Sequence, residues 1–117
     1  NAEQIAGVLV EPVQSRRPDI QPKEFLTELR EITKELGIAL IFDEMITAFR
    51  CARGGASELL GVKPNIFTFG KVVGGTMPIG IIAGDREYLD VIDGGDWSFG
   101  DDSYPSIDMM TFGGTFC

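Results

Sequence analysis

Two short apolar runs flank a long amphipathic segment near the start of the chain. Ile5 to Val10 and Ile38 to Phe42 are apolar, and each ends at an acidic residue, which is typical of strands buried on both faces. Between them, the apolar residues of Pro22 to Leu36 recur at the spacing of one helical face. Pro22 suits the first helical position and Gly37 the left-handed position after the last turn. The order strand, helix, strand predicts a βαβ unit with parallel pairing and a right-handed crossover.

The chain after this unit predicts two further strands and two short helices. A helix over Ala56 to Leu60 precedes an apolar strand over Ile66 to Phe69, and a fourth apolar run follows at Ile79 to Ala83. The connection through Gly74-Gly75 is too short for a parallel crossover, so the fourth strand is predicted to be antiparallel. Asp85 is expected to cap another short helix. The pattern therefore predicts an α/β fold whose sheet is mostly parallel, with one antiparallel strand.

The composition narrows the classes of function. A net charge of -8, with ten Lys and Arg scattered along the chain, argues against a nucleic-acid partner, which needs clustered basic residues. No apolar stretch approaches the roughly 20 residues that span a bilayer. Cys51 and Cys117 have neither metal-site nor redox spacing, so a reducing cytoplasm is expected. The absence of histidine excludes His-dependent triads and zinc helices within this chain, and no metal site is expected.

The ends of the sequence predict an incomplete domain. The chain begins at Asn1 without a methionine and stops at Cys117, directly after an apolar, glycine-rich run. Ends of this kind should leave sheet edges and an apolar face uncovered. We therefore expect residues 1–117 to form part of a larger domain whose N- and C-terminal parts lie outside this sequence.

Charged residues follow three of the predicted strands. Glu11, Asp43 and Lys71 occupy the carboxyl ends of strands, where ligands collect in open α/β sheets. A lysine in this position can form a Schiff base with an aldehyde, and an ionised carboxylate can keep the ring nitrogen of an electron-sink cofactor protonated. A solvated lysine and a turn-capping aspartate are the ordinary alternative on spacing alone. A phosphate-loop motif is excluded, because Val72 follows Gly70-Lys71 where Ser or Thr is required.

Three separated segments carry a family resemblance. GVLVEPVQ (Gly7 to Gln14), IFDEMITAFR (Ile41 to Arg50) and KPNIFTFGKVVGGTMPIG (Lys63 to Gly80) together resemble the core of class III aminotransferases, nearest to the glutamate-1-semialdehyde aminomutase group. The resemblance implies a fragment of the large cofactor-binding domain of a fold type I aminotransferase. It also implies pyridoxal 5'-phosphate (PLP) as the cofactor.

The resemblance also assigns roles to individual residues. It implies that Asp43 pairs with the pyridine nitrogen of PLP and that Lys71, 28 positions later, is the catalytic lysine that forms the Schiff base with the cofactor. Met45 stands where a branched aliphatic residue usually packs on the cofactor ring, and methionine also offers an apolar, polarizable face. Gly114-Thr115 resembles a later motif whose threonine binds the cofactor phosphate of the neighbouring subunit. An ordinary turn threonine accounts equally well for Thr115.

Three positions depart from the family pattern. Asn65 stands where Asp is common, Ala48 where Gly is common, and Ile46 where many ω-amino acid enzymes carry Gln. The change at Ile46 argues against an ornithine-like or GABA-like subtype. None of the three touches Asp43 or Lys71, so the expected chemistry is retained while the substrate class stays open.

The family resemblance implies a transamination. The amino group passes from an amino acid, glutamate by resemblance, to a carbonyl acceptor, and the enzyme is a homodimer.

A second resemblance is carried by three further segments, EPVQSR (Glu11 to Arg16), Gly54 to Ala56 and Asp93 to Pro105. They look similar to aminotransferase domains of hybrid polyketide and nonribosomal peptide synthetases, including those of the cyanobacterial toxins microcystin and nodularin. This similarity implies a β-keto acyl chain on a carrier protein as the acceptor. Two alternatives remain open: an aminomutase that moves an amino group within one molecule, and a non-catalytic structural domain of a synthase.

Overall fold

The structure is a computed structural model that describes residues 2–91. The chain divides into two compact units, Asn1–Ala83 and Gly84–Cys117. Within the described range, no helix has the length and apolar character needed to cross a bilayer. The first unit contains the sheet and its helices, and the described part of the second contains one short helix with Asp85 at its N-cap position.

A sheet with the strand order β1-β2-β3-β4 forms the centre of the fold, and it is mostly parallel with one antiparallel pair. Helices connect or follow its strands. The elements in chain order are β1 (Gly7–Val10), α1 (Lys23–Glu35), β2 (Ala39–Asp43), α2 (Gly55–Leu60), β3 (Ile66–Phe69), β4 (Ile81–Gly84) and α3 (Arg86–Leu89), with 3₁₀ turns at Ala2–Gln4 and Lys71–Val73.

The predicted βαβ unit is confirmed. β1 and β2 pair in parallel, with Val10 opposite Phe42, and α1 connects them. Pro22 is the N-cap residue of α1 and not its first helical residue, a difference of one position. Its carbonyl still accepts the first helical hydrogen bond, from Leu26 N at 3.0 Å. Gly37 has the predicted left-handed backbone, with φ 66°.

The hydrophobic core lies on one face of the sheet. Leu40 and Phe42 of β2 are fully buried with Leu26 of α1 and Ala56 of α2. Side chains alternate between the two faces of a strand, so both helices pack on the side to which Leu40 and Phe42 point. Because both helices pack on this side of β2, β2 lies at the centre of the hydrophobic core.

The opposite face of the sheet corrects one prediction. The sequence predicts that β1 is buried on both faces, yet Leu9 is 64% exposed and exposure alternates along the strand. The physical reason is that α1 and α2 cover the same side, and no element among residues 2–91 buries Leu9. The apolar run of β1 therefore indicates a second packing surface on the sheet, which no described residue covers.

Asn65 fixes the start of β3 against β2 and α1. Its Oδ1 accepts hydrogen bonds from Arg30 Nη1 at 2.6 Å and from Leu40 N at 3.0 Å, and its own backbone N donates to Leu40 O at 2.8 Å. β2 and β3 then run in parallel with Asp43 opposite Thr68. The side chain that departs from the family pattern thus sets the register on which the carboxyl ends of both strands depend.

Candidate active site

The structure brings Asp43 and Lys71 to the same edge of the sheet. Asp43 is the last residue of β2, and Lys71 follows the last residue of β3 by two positions. The two strands are neighbours and parallel, with Asp43 opposite Thr68. Because parallel strands end at the same edge, the carboxylate and the amine belong to adjacent strand ends, where α/β proteins bind ligands.

The Asp43 carboxylate is half-buried and oriented by two groups. Met45 N donates to its Oδ1 at 3.0 Å, an Asx-type turn in which the side chain bonds its own backbone two residues on. The Thr68 hydroxyl lies 3.5 Å from the same oxygen. Alternation along β2 puts Asp43 on the face opposite Phe42, away from the helices. The carboxylate is therefore held in place on the open side of the sheet.

Thr68 is a site residue that the sequence patterns did not single out. The available signal is that it is the polar residue of the otherwise apolar strand IFTF. A hydroxyl within such a strand needs a hydrogen-bond partner, and the parallel register supplies Asp43.

Lys71 has a backbone conformation that is unusual for a residue with a side chain. Its φ is 48°, in the left-handed region, which costs about 1–3 kcal/mol for a non-glycine residue. The residue is exposed and opens the 3₁₀ turn Lys71–Val73, with Gly74 N donating to its carbonyl at 3.1 Å. Strain of this kind, at the point where a strand ends, is typical of residues whose side chain must be aimed at a ligand.

Met45 packs directly on the residue before Lys71. A Cβ built on Gly70 would lie 2.6 Å from Met45 Sδ, which is far inside van der Waals contact. Gly70 is buried, whereas Lys71 beside it is exposed. The thioether thus occupies the space that a side chain at position 70 would need, so Met45 lies against the residue that precedes Lys71.

Glu44 is a second site residue that the sequence patterns did not single out. Its side chain is fully buried. Its carboxylate accepts hydrogen bonds from the Thr47 hydroxyl and, at 2.8 Å each, from the backbone N of Ala56 and of Ser57. The acidic residue after Asp43 is visible in the sequence, but its partners lie up to 13 positions further along the chain.

The remaining predicted positions have simpler outcomes. Glu11 follows β1, and its Oε2 accepts a hydrogen bond from Ser15 N at 2.9 Å, so it closes its own turn. Thr115 lies outside the described residues. The geometry therefore brings together Asp43, Met45 and Lys71 at one edge.

These residues fit a cofactor that combines a basic ring nitrogen with an aldehyde. The Asp43 carboxylate suits a protonated ring nitrogen, and the Lys71 amine suits an aldehyde carbon. The Met45 thioether, packed into the gap left by Gly70, offers an apolar surface for a ring face. The three kinds of group match the chemistry that PLP requires.

Comparison with known proteins gives the same family over the whole chain. The model of the family described as "Aminotransferase class-III" matches residues 1–117. Glutamate-1-semialdehyde 2,1-aminomutase of Aquifex aeolicus is 50% identical over 88 residues, which cover 74% of this chain and 21% of that protein. The enzyme of the same name from Methanocaldococcus jannaschii is 53% identical over 91 residues, covering 77% of this chain and 21% of that protein. The chain spans about a fifth of the length of these relatives.

Solved structures that resemble this chain include transaminases. An omega-transaminase from Sphaerobacter thermophilus is 39% identical with a TM-score of 0.74, covering 79% of this chain and 21% of that one. A transaminase with PLP bound is 38% identical with a TM-score of 0.74, covering 81% and 22%. A β-phenylalanine aminotransferase from Variovorax paradoxus is 36% identical with a TM-score of 0.71, covering 79% and 21%. The fold is that of part of a fold type I transaminase domain.

Proposed function

Because this chain belongs to the class III aminotransferase family, we propose that the complete protein containing it transfers an amino group with PLP held by Lys71 and Asp43. The observation that carries the proposal is the arrangement of these two residues at the carboxyl ends of neighbouring parallel strands. Residues 1–117 form part of the PLP-binding domain in this proposal. The PLP-bound transaminase among the solved structures supports the choice of cofactor.

Each site residue has a distinct task in this reaction. When bound, PLP supplies a cationic ring that stabilises negative charge developed on a substrate carbon. The Asp43 carboxylate keeps the proton on the ring nitrogen, through a charge-assisted hydrogen bond that contributes about 1.5–3 kcal/mol. Lys71 Nζ would hold the cofactor, and as a free amine it would accept a proton from the α-carbon of the amino donor. A positioned base of this kind is worth about 10² to 10⁴ in rate.

Trapping of the cofactor tests the proposal directly. Borohydride reduction of the complete protein should fix PLP on the peptide that contains Lys71, as read by peptide mass spectrometry. Lys71→Ala should abolish the adduct, whereas Lys34→Ala on the exposed side of α1 should leave it unchanged. An adduct on another lysine in the Lys71→Ala protein would refute the assignment. A purified wild-type protein without PLP would instead favour the non-catalytic structural domain.

The finer proposal concerns the acceptor. Glutamate serves as the amino donor, and the acceptor is a carbonyl compound, with a β-keto acyl chain on a carrier protein as the specific candidate. The segments that resemble synthetase domains support this choice, and the acyl carrier protein is then a partner. Transfer of ¹⁵N from labelled glutamate to a carrier-bound β-keto substrate tests it, and transfer only to free keto acids would contradict the carrier-bound acceptor.

An aminomutase is the second candidate, and a specific observation favours it. The relatives that are 50–53% identical are glutamate-1-semialdehyde 2,1-aminomutases. An aminomutase returns the amino group to the same molecule, whereas an aminotransferase consumes a separate donor. Incubation of the complete protein with glutamate-1-semialdehyde as sole substrate distinguishes them, because only a mutase gives a product without added donor or acceptor.

The assembly and location complete the proposal. The complete protein works as a cytoplasmic homodimer, with Thr115 binding the cofactor phosphate of the neighbouring subunit, and without a nucleic-acid or membrane partner. The resemblance of Gly114-Thr115 to the family motif supports the shared site. Co-expression of a Lys71→Ala chain with a Thr115→Ala chain tests it, because one intact site per mixed dimer should restore part of the activity. Equal activity of mixed and unmixed variants would contradict the shared site.

A further inference from the structure

We propose that Glu44 is a positioning residue of the cofactor site, acting through the turn 44–48 that carries Met45. Its carboxylate ties this turn to the start of α2, and the turn holds the Met45 thioether against Gly70, beside Lys71. The inference rests on the proposed function, which assigns Met45 and Lys71 to the cofactor. It adds a residue that acts on the cofactor through Met45.

The buried carboxylate of Glu44 is fixed by donors from two separate segments. The Thr47 hydroxyl donates to Oε2 from within the turn. Ala56 N donates to Oε2 and Ser57 N to Oε1, each at 2.8 Å, from the first turn of α2. A carboxylate that is 0% exposed is unfavourable unless such donors replace water. The side chain therefore clamps the turn and the helix end together.

The backbone of Glu44 joins the same turn to β3. Glu44 N donates to Thr68 O at 3.0 Å, and Ala48 N donates to Glu44 O at 3.0 Å. The intervening Met45 N donates to Asp43 Oδ1 at 3.0 Å. A shift of Glu44 thus moves Met45, whose backbone N orients Asp43 and whose thioether covers Gly70.

Gly55 leaves room for this carboxylate. Its φ is 69°, and a Cβ built there would lie 2.7 Å from Glu44 Cδ. A side chain at position 55 would be strained and would also displace the Glu44 carboxylate. The helix start is therefore shaped around the buried acid.

Glu58 provides the comparison that separates positioning from helix capping. Gly54 N donates to Glu58 Oε2 at 2.6 Å, so this carboxylate also satisfies a backbone donor at the start of α2. Glu58 is exposed and takes its hydrogen bond from the helix end, whereas Glu44 also bonds Thr47 in the turn. Loss of either acid should weaken the helix end, but loss of Glu44 alone should reach Met45.

The first experiment replaces each acid by its amide in the complete protein. Both Glu44 oxygens accept backbone N–H groups, so Glu44→Gln must turn an NH₂ group toward one of them. Titration of the apoprotein with PLP, followed by absorbance, should give about a tenfold higher dissociation constant, equivalent to about 1.4 kcal/mol. Glu58→Gln should leave the dissociation constant unchanged, and an equal loss in both variants would overturn the proposal.

A double-mutant cycle tests whether Glu44 acts through Met45. In a Met45→Ala background, Glu44→Gln should no longer weaken PLP binding, because the thioether that it positions is gone. The melting temperature of the apoprotein should still fall in both backgrounds, since the lost hydrogen bonds are the same. Additive losses in PLP affinity would assign Glu44 a purely structural role and overturn the inference.

A milder pair of variants covers the case in which Glu44→Gln fails to fold. Thr47→Val removes the hydroxyl donor from the turn and should weaken PLP binding. Thr47→Ser keeps the donor and should bind PLP as tightly as the wild-type protein. If the wild-type protein binds PLP on Lys71 and Thr47→Val binds it equally well, this inference alone is wrong. Absence of PLP from the wild-type protein would overturn the proposed function as well.

Discussion

The Thr68 hydroxyl lies 3.5 Å from Asp43 Oδ1, and the two residues are register partners on adjacent parallel strands. The strand that orients the carboxylate is the same strand that ends just before Lys71. A displacement of β3 would therefore move the lysine and disturb the aspartate together. The register of β2 and β3 thus sets the relative positions of the two residues in the proposed cofactor site.

The charge on Asp43 should matter more than its shape. The amide oxygen introduced by Asp43→Asn can still accept the hydrogen bond from Met45 N, so the turn should be kept and PLP should still bind. Loss of a charge-assisted hydrogen bond worth about 1.5–3 kcal/mol should lower kcat by about 10- to 150-fold. Steady-state kinetics of the complete protein measure this, and Thr68→Val, which removes one orienting hydroxyl but keeps the charge on Asp43, should lower kcat less. Wild-type turnover in Asp43→Asn would refute the ring-nitrogen role.

Gly70 should tolerate a methyl group only if Met45 is shortened. A Cβ at Gly70 meets Met45 Sδ at 2.6 Å, and overpacking of this kind costs about 1–3 kcal/mol. Gly70→Ala should lower the melting temperature and weaken PLP binding, and a second change, Met45→Ala, should recover the stability. Gly80→Ala is the matched control, because its Cβ would approach only Phe69 O, at 4.0 Å. Failure of the second change to restore stability would show that the contact is not the cause.

Asn65 should tolerate Asp but not Ala. Asn65→Ala leaves Leu40 N without its side-chain acceptor and removes the partner of Arg30 Nη1, at a cost of about 1–3 kcal/mol. Asn65→Asp keeps an acceptor oxygen and places a negative charge beside Arg30, so stability should be retained. Thermal denaturation of the complete protein compares them, with Thr27→Val on the exposed side of α1 as the control. A greater loss for Asp than for Ala would contradict the assigned hydrogen bonds.

The core should distinguish two phenylalanines. Phe42 is fully buried between the sheet and its helices, whereas Phe25 on α1 is 55% exposed. Phe42→Ala should destabilise the protein by about 3–5 kcal/mol through loss of buried area and an added cavity. Phe25→Ala should change the unfolding free energy far less in the same denaturant titration. Equal losses would mean that Phe25 is buried by a part of the protein beyond the described residues.

Local patterns predict the order of elements well. β3 has the predicted bounds Ile66–Phe69, because an apolar run between Asn65 and Gly70 leaves little choice. Gly37 and Gly61 end their helices with positive φ, since glycine adopts this conformation without steric cost. These features depend on neighbours in the sequence and are therefore visible in it.

β4 and the open face of β1 show where local patterns fail. The apolar run predicts that β4 starts at Ile79, but the strand begins at Ile81, and Ile79 is 47% exposed within the described residues. Apolar character identifies a residue that is buried somewhere, but it does not identify the partner. The same limit explains why Leu9 is exposed within the described residues.

The candidate site is predictable in its chemistry and not in its support. Asp43 and Lys71 can be found because both follow apolar strands and match a family pattern. The contacts of Glu44 with Ala56 and of Met45 with Gly70 join segments that are distant in the sequence. No periodicity encodes such contacts, because the partners belong to separate elements of the fold.

The left-handed backbone at Lys71 has a consequence for protein engineering. Glycine adopts that conformation without the steric cost of a Cβ, so Lys71→Gly should make the apoprotein more heat-resistant while removing the amine that we propose holds PLP. A directed-evolution campaign that screens the apoprotein for thermostability alone would therefore favour loss of the proposed catalytic lysine, and only a melting curve with PLP present would reveal the lost binding.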